Sequence, residues 1–242
     1  MWNPIALSLR HEQVTPKEIE IGQAIAIGDI PQDAYELRLT AFLAAVLQDP
    51  SLPLRLTAQE RYYILLNCLV ISNSDYMMDA GDISEFLLPT TTAPDTAQVE
   101  AIYIQQLRGH HADFLQSNCE NVYDWLVGQM AVQLYGDMTE YFSDTKNQAV
   151  LWSQLTTENP GELSAAFADR FKQINSMTES QFERLYAVFC MGAEKLVHLV
   201  DISVDKDGII LNSTGGDDDR AARFRAVQSL SGATQRIIEC FV

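Results

Sequence analysis

The stretch from Thr57 to Asn73, T-A-Q-E-R-Y-Y-I-L-L-N-C-L-V-I-S-N, constrains the fold more than any other part of the chain. Thr57 followed three residues later by Glu60, ahead of an apolar run, is a capping box. The threonine oxygen accepts from a free helix N–H while the glutamate reaches back to the cap. The helix therefore has a defined start. Tyr62, Leu65, Leu66 and Leu69 recur at helical spacing, and Tyr63, Ile64, Val70 and Ile71 widen the stripe until little polar circumference is left. Such a helix has to be covered on nearly every side, and at 242 residues with 47% hydrophobic content the chain has enough material to do it.

The flanking segments read as the cover. Ile5 to Leu9 alternates as a short strand, and Thr15-Pro16 with Glu18 predicts a capped helix running to about Gly28. Asp33 with Glu36 opens the next helix, and P-S-L-P reads as a turn into the central one. The run L-L-P-T-T-T-A-P-D-T-A reads as a linker, after which Asp95 with Gln98 predicts a helix through Val99, Ile102, Tyr103 and Leu107. Ser117 with Glu120 caps a helix carrying Trp125 and Met130 as core residues, and Asn159-Pro160-Gly161-Glu162 starts another. Thr178 with Gln181 starts the longest helix, from Phe182 to Val200. Val200–Val204 and Ile209–Leu211 then flank Asp207-Gly208, a hairpin turn pair, and the hairpin is expected to rest on a helix or pair with the N-terminal strand. The expected fold is mainly α, a helical globular protein with a small antiparallel β-hairpin or three-stranded sheet. Residues 1–88 would form an N-terminal lobe around the 57–73 helix and residues 95–242 a C-terminal lobe with the hairpin 200–211, or the two would be one continuous domain.

Charge narrows the partners. Thirty-three acidic against sixteen basic residues give a net charge of −17, which repels nucleic acid and anionic membranes and steers toward basic protein surfaces. No apolar run reaches the roughly 18 to 20 residues of a membrane span. The start M-W-N-P-I-A-L-S-L-R-H-E lacks the basic and small-residue signature of a signal peptide, so an intracellular location is expected. Cys68, Cys119, Cys190 and Cys240 are widely spaced and read as free thiols. His110 and His111 with Cys119 fall short of a zinc ligand set and read as surface histidines near a helix boundary. Asp75, Asp79, Asp82 and Glu85 lack the spacing and central glycine of a calcium loop and read as a solvated loop. Phosphate-loop, dinucleotide, nucleophile-elbow and metalloprotease motifs are all missing, so no catalytic, cofactor or metal residue is assigned. Arg220, Arg223, Phe224 and Arg225 form the one dense basic cluster and are the candidate interface residues, since arginine and aromatics are enriched at interfaces. The competing reading makes Phe224 a core anchor whose arginines pair with Asp217 to Asp219.

A family resemblance adds to this. V-T-P-K-E-I-E-I-G-Q-A-I-A-I-G-D-I-P, F-L-A-A-V-L, L-T-A-Q-E-R-Y-Y-I-L-L, Y-D-W-L-V-G-Q-M-A-V-Q-L, D-G-I-I-L and R-F-R-A-V-Q-S-L-S, in that order, resemble uncharacterised tail and baseplate morphogenesis proteins of tailed bacteriophages and prophages. The L-T-x-x-E-R helix is also similar to one in baseplate hub and hub-assembly proteins of contractile-tailed phages. Many of those carry a C-x-x-C zinc element soon after it, where this chain has acidic residues from Asp75 to Glu85. The resemblance implies a non-catalytic structural or assembly protein whose partners are other tail components or itself, working in the host cytoplasm during assembly and in the virion tail. It implies no cofactor and transfers no functional residue. Two alternatives stand beside it: an acidic inhibitor or DNA mimic, and a hydrolase using the His110/His111 region.

Overall fold

A computed structural model describes residues 4–71, 83–141, 160–213 and 221–222. The fold is mainly helical with three small antiparallel sheets, in agreement with the expected class. At its centre lies α4, Ala58–Ile71, in which Ile64 and Leu66 have no exposed surface at all. Its cap forms as the sequence predicts: the Glu60 N–H donates to Thr57 Oγ1 at 3.1 Å, and the Thr57 N–H donates to Glu60 Oε2 at 2.9 Å.

Before α4, the order departs from expectation. Leu7–Ser8 (β1) pairs with Gln13–Val14 (β2), so the chain near Thr15 is still leaving a strand. The Lys17 N–H is then spent on the Val46 carbonyl of the neighbouring helix, at 2.8 Å. Helix α1 consequently begins only at Ile21 and runs to Gly28, with Glu20 rather than Thr15 at its cap. Tyr35–Leu47 is α2. The P-S-L-P segment is a short helix, α3 (Leu52–Arg55), because Asp49 Oδ1 accepts from the N–H groups of Ser51 and Leu52 at 2.8 and 3.1 Å.

The helix expected at Asp95–Leu107 is a hairpin. Thr96–Val99 (β3) pairs with Ile102–Gln105 (β4), and Leu134–Gly136 (β5) joins the outer side of β4. Burial alternates, with Ala97 and Val99 inside and Gln98 outside, and Glu100 turns the chain at φ 56°. The apolar residues that mimic a helical period are β-branched and aromatic, types that suit a pleated, half-buried surface. Gly109–Asn118 (α5) runs through Ser117, and Val122–Gln133 (α6) is capped one turn later than expected by Asn121, whose side chain accepts from the N–H groups of Tyr123 and Asp124. Trp125 and Met130 are buried, as predicted.

Pro160–Asn175 (α7) and Glu179–Glu194 (α8) are the last helices among the described residues. The Thr178 N–H donates to Gln181 Oε1 at 3.0 Å, which bears out that start. The end falls earlier than expected: after Glu194 the chain leaves the helix and turns through Leu199 at φ 59°. Asp201–Asp205 (β6) and Gly208–Asn212 (β7) form the predicted hairpin. Of the expected turn pair only Gly208 has positive φ, at 123°. A Cβ there would also lie 3.1 Å from the Trp125 ring, so the hairpin turn rests on α6. The third strand is Ala221–Ala222 (β8), paired to β7, in place of the expected N-terminal strand. One buried cluster includes Leu7, Leu65, Trp125, Leu185 and Leu211, taken from both sides of the Thr-Pro stretch near residue 90.

Candidate docking cleft and buried polar network

Several candidate residues from the sequence fall outside what the structure describes. Arg220, Arg223, Phe224, Arg225 and Cys240 lie there, as do Asp75, Asp79 and Asp82, while Glu85 sits on a 3₁₀ turn, Ile83–Phe86. His110 and His111 are described: His111 is not a surface histidine, and His110 is half-buried. They occupy the start of α5, where Gly109 packs so tightly on α3 that its N–H donates to the Leu56 carbonyl at 2.9 Å. His111 is fully buried and its Nδ1 accepts from the Arg108 N–H at 3.3 Å; His110 Nδ1–H donates to the Leu54 carbonyl at 3.0 Å. Cys119 lies near α6, with its Sγ 3.4 Å from the Asp124 carbonyl. Burial pushes the Cys68 and Cys119 thiols up to about 12, far from the thiolate form a nucleophile needs. Among the described residues no group of three or more His, Cys, Asp or Glu side chains is placed to hold a metal ion.

The most closely knit of the charges the structure brings together are interior. Arg61 and Glu36 have side chains 0% and 1% exposed and meet at 3.1 Å, joining α4 to α2. Arg61 also reaches Asp113 on α5 at 3.2 Å and donates to Thr40 Oγ1 at 2.9 Å, while the Tyr62 O–H donates to Glu36 Oε1 at 2.6 Å. A second knot lies at the cap of α4. Glu60 accepts from the Arg10 N–H at 3.0 Å, and Thr57 Oγ1 stands 3.3 Å from His198 Nε2. His198 Nδ1 faces the Leu196 carbonyl at 2.9 Å, so Nδ1 carries the proton. Burial lowers the pKa of His198, against the opposing pull of the Leu196 carbonyl and of Glu60. Beside this knot Arg10 and Arg108 converge on Asp95 at 3.0 and 3.6 Å. Asp95 is held below the usual carboxylate range by hydrogen bonds from His11 and Arg10, which outweigh its partial burial. The hollow there, about 350 Å³, therefore has its cations already matched by acids.

The larger hollow is a cleft of about 470 Å³ where three elements meet. Helix α6 contributes Val122, Leu126, Gln129 and Gln133, one face at spacings of four, three and four. Helix α8 contributes Tyr186, Phe189, Cys190, Ala193 and Glu194, and β6 contributes Asp201 to Val204. At its floor the Leu196 carbonyl accepts from Gln59 Nε2 at 3.3 Å and Gln106 Nε2 at 3.0 Å, which fixes the chain leaving α8. Two of the lining residues are exposed apolar side chains, Val122 at 49% and Tyr186 at 38%, and Tyr123, next to Val122, is 48% exposed. Phe182 links these aromatics, 6.2 Å from Tyr123 and stacked on Tyr186 at 6.0 Å.

Sequence reading missed this face. The helix from Phe182 onward reads as one periodic stripe, yet with Phe182 and Tyr186 beside Leu185 and Phe189 the apolar arc of α8 is wider than one buried stripe requires. That excess width was the available signal. No protein-family model, curated protein or solved structure matches the chain.

Proposed function

We propose that this chain is a non-catalytic structural or assembly-assisting protein of a bacteriophage tail or baseplate, acting through contacts with other tail components or with copies of itself. The phage assignment rests on the sequence resemblance alone. The contact mechanism is carried by one observation, the cleft between α6, α8 and β6 with Val122 and Tyr186 exposed in its lining and Tyr123 joined to them through Phe182. Contiguous exposed apolar surface rimmed by polar residues marks an interaction site. The ionisable side chains packed inside agree with a scaffold role, since Arg61, Glu36, Glu60 and Arg10 are engaged in tying elements together.

The test is co-purification. Tail particles and their assembly intermediates, separated on a density gradient from phage-producing cells, should contain this chain by immunoblot. A chain found only in the unassembled soluble fractions would overturn the proposal.

A further inference from the structure

The cleft touches four consecutive residues of β6, Asp201, Ile202, Ser203 and Val204. A hollow over one face of a strand meets alternate residues, because successive side chains point to opposite faces. Contact with all four therefore places the cleft along the edge of the strand. That edge is open. The β6–β7 register pairs Asp205 with Gly208 across a two-residue turn, so Asp205, Ser203 and Asp201 exchange bonds with β7. The N–H and C=O groups of Ile202 and Val204 then point the other way, and no bond to them is found among the described residues. The third strand lies on the far side of β7, which leaves β6 at the rim of its sheet.

We propose that this edge, with the cleft beside it, accepts an extended basic segment of a partner protein as an added strand; the proposal rests on the protein-docking reading above. Ile202 and Val204 offer two donors and two acceptors, enough for a short antiparallel or parallel pairing. Natural edge strands are commonly blunted by charged side chains, proline or a bulge; D-I-S-V-D has no proline or bulge, and its two charges are aspartates that admit a basic partner. Charge selects the occupant. The lining carries Glu194 and Asp201 and not one lysine, arginine or histidine, within a chain of net charge −17. A second copy is disfavoured, because antiparallel pairing of β6 with itself about Ser203 sets Asp201 opposite Asp205 twice, and like charges directly opposite destabilise a sheet. A segment alternating basic and apolar residues instead lays its apolar side on Tyr186, Phe189 and Leu126, and its cations toward Glu194 and Asp201.

The probe is a fluorescein-labelled peptide, acetyl-Lys-Val-Lys-Val-Lys-Val-Lys-amide, titrated against the full chain by anisotropy at about 150 mM salt, where surface attraction is screened beyond roughly 8 Å. Saturable binding is expected, with amide exchange at Ile202 and Val204 slowed in the complex. Methylating alternate backbone amides of the peptide, in one of the two registers, should abolish binding without changing its charge. Val204→Pro removes an outward N–H and leaves the β7 ladder intact, so it should weaken binding about threefold to tenfold, one hydrogen bond's worth. Four results would overturn the proposal: no binding, binding indifferent to both methylation registers, binding indifferent to Val204→Pro in a folded variant, or exchange at Ile202 and Val204 already slow in the free chain. The last would mean that the chain's own residues hold the edge. The exchange measurement needs no variant, so it decides the matter even where Val204→Pro does not fold. A Val204→Pro chain that still enters tail particles leaves the assembly role standing and removes the edge from it, whereas peptide binding by a chain absent from particles does the reverse.

Discussion

Replacing Arg61 with methionine tests whether the interior charges hold the fold together. The side chain has no exposed surface, and its loss takes the 3.1 Å counter-charge from the Glu36 carboxylate, 1% exposed, which keeps the Tyr62 O–H at 2.6 Å. Breaking a buried pair by removing one partner costs about 3 to 5 kcal/mol, because the remaining charge stays in the core. Asp113, 13% exposed, can turn to water and adds less. For a chain of 242 residues about 2 to 4 °C of melting temperature corresponds to each kcal/mol, so Arg61→Met should melt about 6 to 20 °C lower. Adding Glu36→Gln removes the stranded charge and should recover about 1 to 3 kcal/mol, a coupling expected only of residues in direct contact. Urea unfolding followed by fluorescence reads both, since Trp125 is buried and will shift on exposure. A loss below about 1 kcal/mol for the single variant, or a double variant no better than the single, would refute the reasoning.

Thr57→Ala should cost about 2 kcal/mol and Thr178→Ala about 0.5 to 1, the two ends of the capping range, because Thr57 is fully buried and Thr178 is on the surface; equal urea midpoints for the two variants would contradict this. Gly109→Ala should cost about 1 to 3 kcal/mol in thermal melts, as its Cβ would land on the Pro53 carbonyl with Leu54 Cα only 3.0 Å away. His198 is held neutral by burial, with Glu60 and Arg10 the charges nearest it, so the unfolded chain takes up a proton near pH 6.5 before the folded one does. Its stability contribution is present above that pH and is lost as pH falls toward the lower folded pKa, by at most about 1.4 kcal/mol per unit; comparing urea midpoints at pH 7.5 and 5.5 for wild type and His198→Gln should show a flatter dependence in the variant.

What could be read from the sequence was local. Thr57 with Glu60 and Thr178 with Gln181 act within one helical turn, and the turn ending in Gly208 joins residues already adjacent, so pattern and chemistry suffice. Errors arose wherever a distant partner decided. Thr15 looked like a cap, but the chain at Lys17 is drawn to Val46 on α2. Val99, Ile102 and Tyr103 fit a helical period on paper, but β4 has a partner at Leu134–Gly136 that makes it the middle of a sheet. Nothing in the neighbouring sequence marks Arg61 as a buried hub, because its three partners, Glu36, Thr40 and Asp113, come from two other helices.

The candidate docking site illustrates the limit more sharply, because none of its residues is chemically unusual. Ile202 and Val204 would alternate in the same way in a central strand, and Leu126, Tyr186 and Phe189 are ordinary core types. What makes them a site is where the third strand goes. Ala221–Ala222 pairs with Leu211 and Asn212 on β7, so the sheet order is β6-β7-β8 and the open rim falls on β6, facing α6 and α8. Had the same strand paired with β6 instead, the outward edge at Ile202 or Val204 would be taken and the cleft obstructed, with hardly a change in composition. Binding competence here is therefore a property of strand order. It follows that substitutions moving β8 across the hairpin should abolish docking while leaving every lining side chain in place.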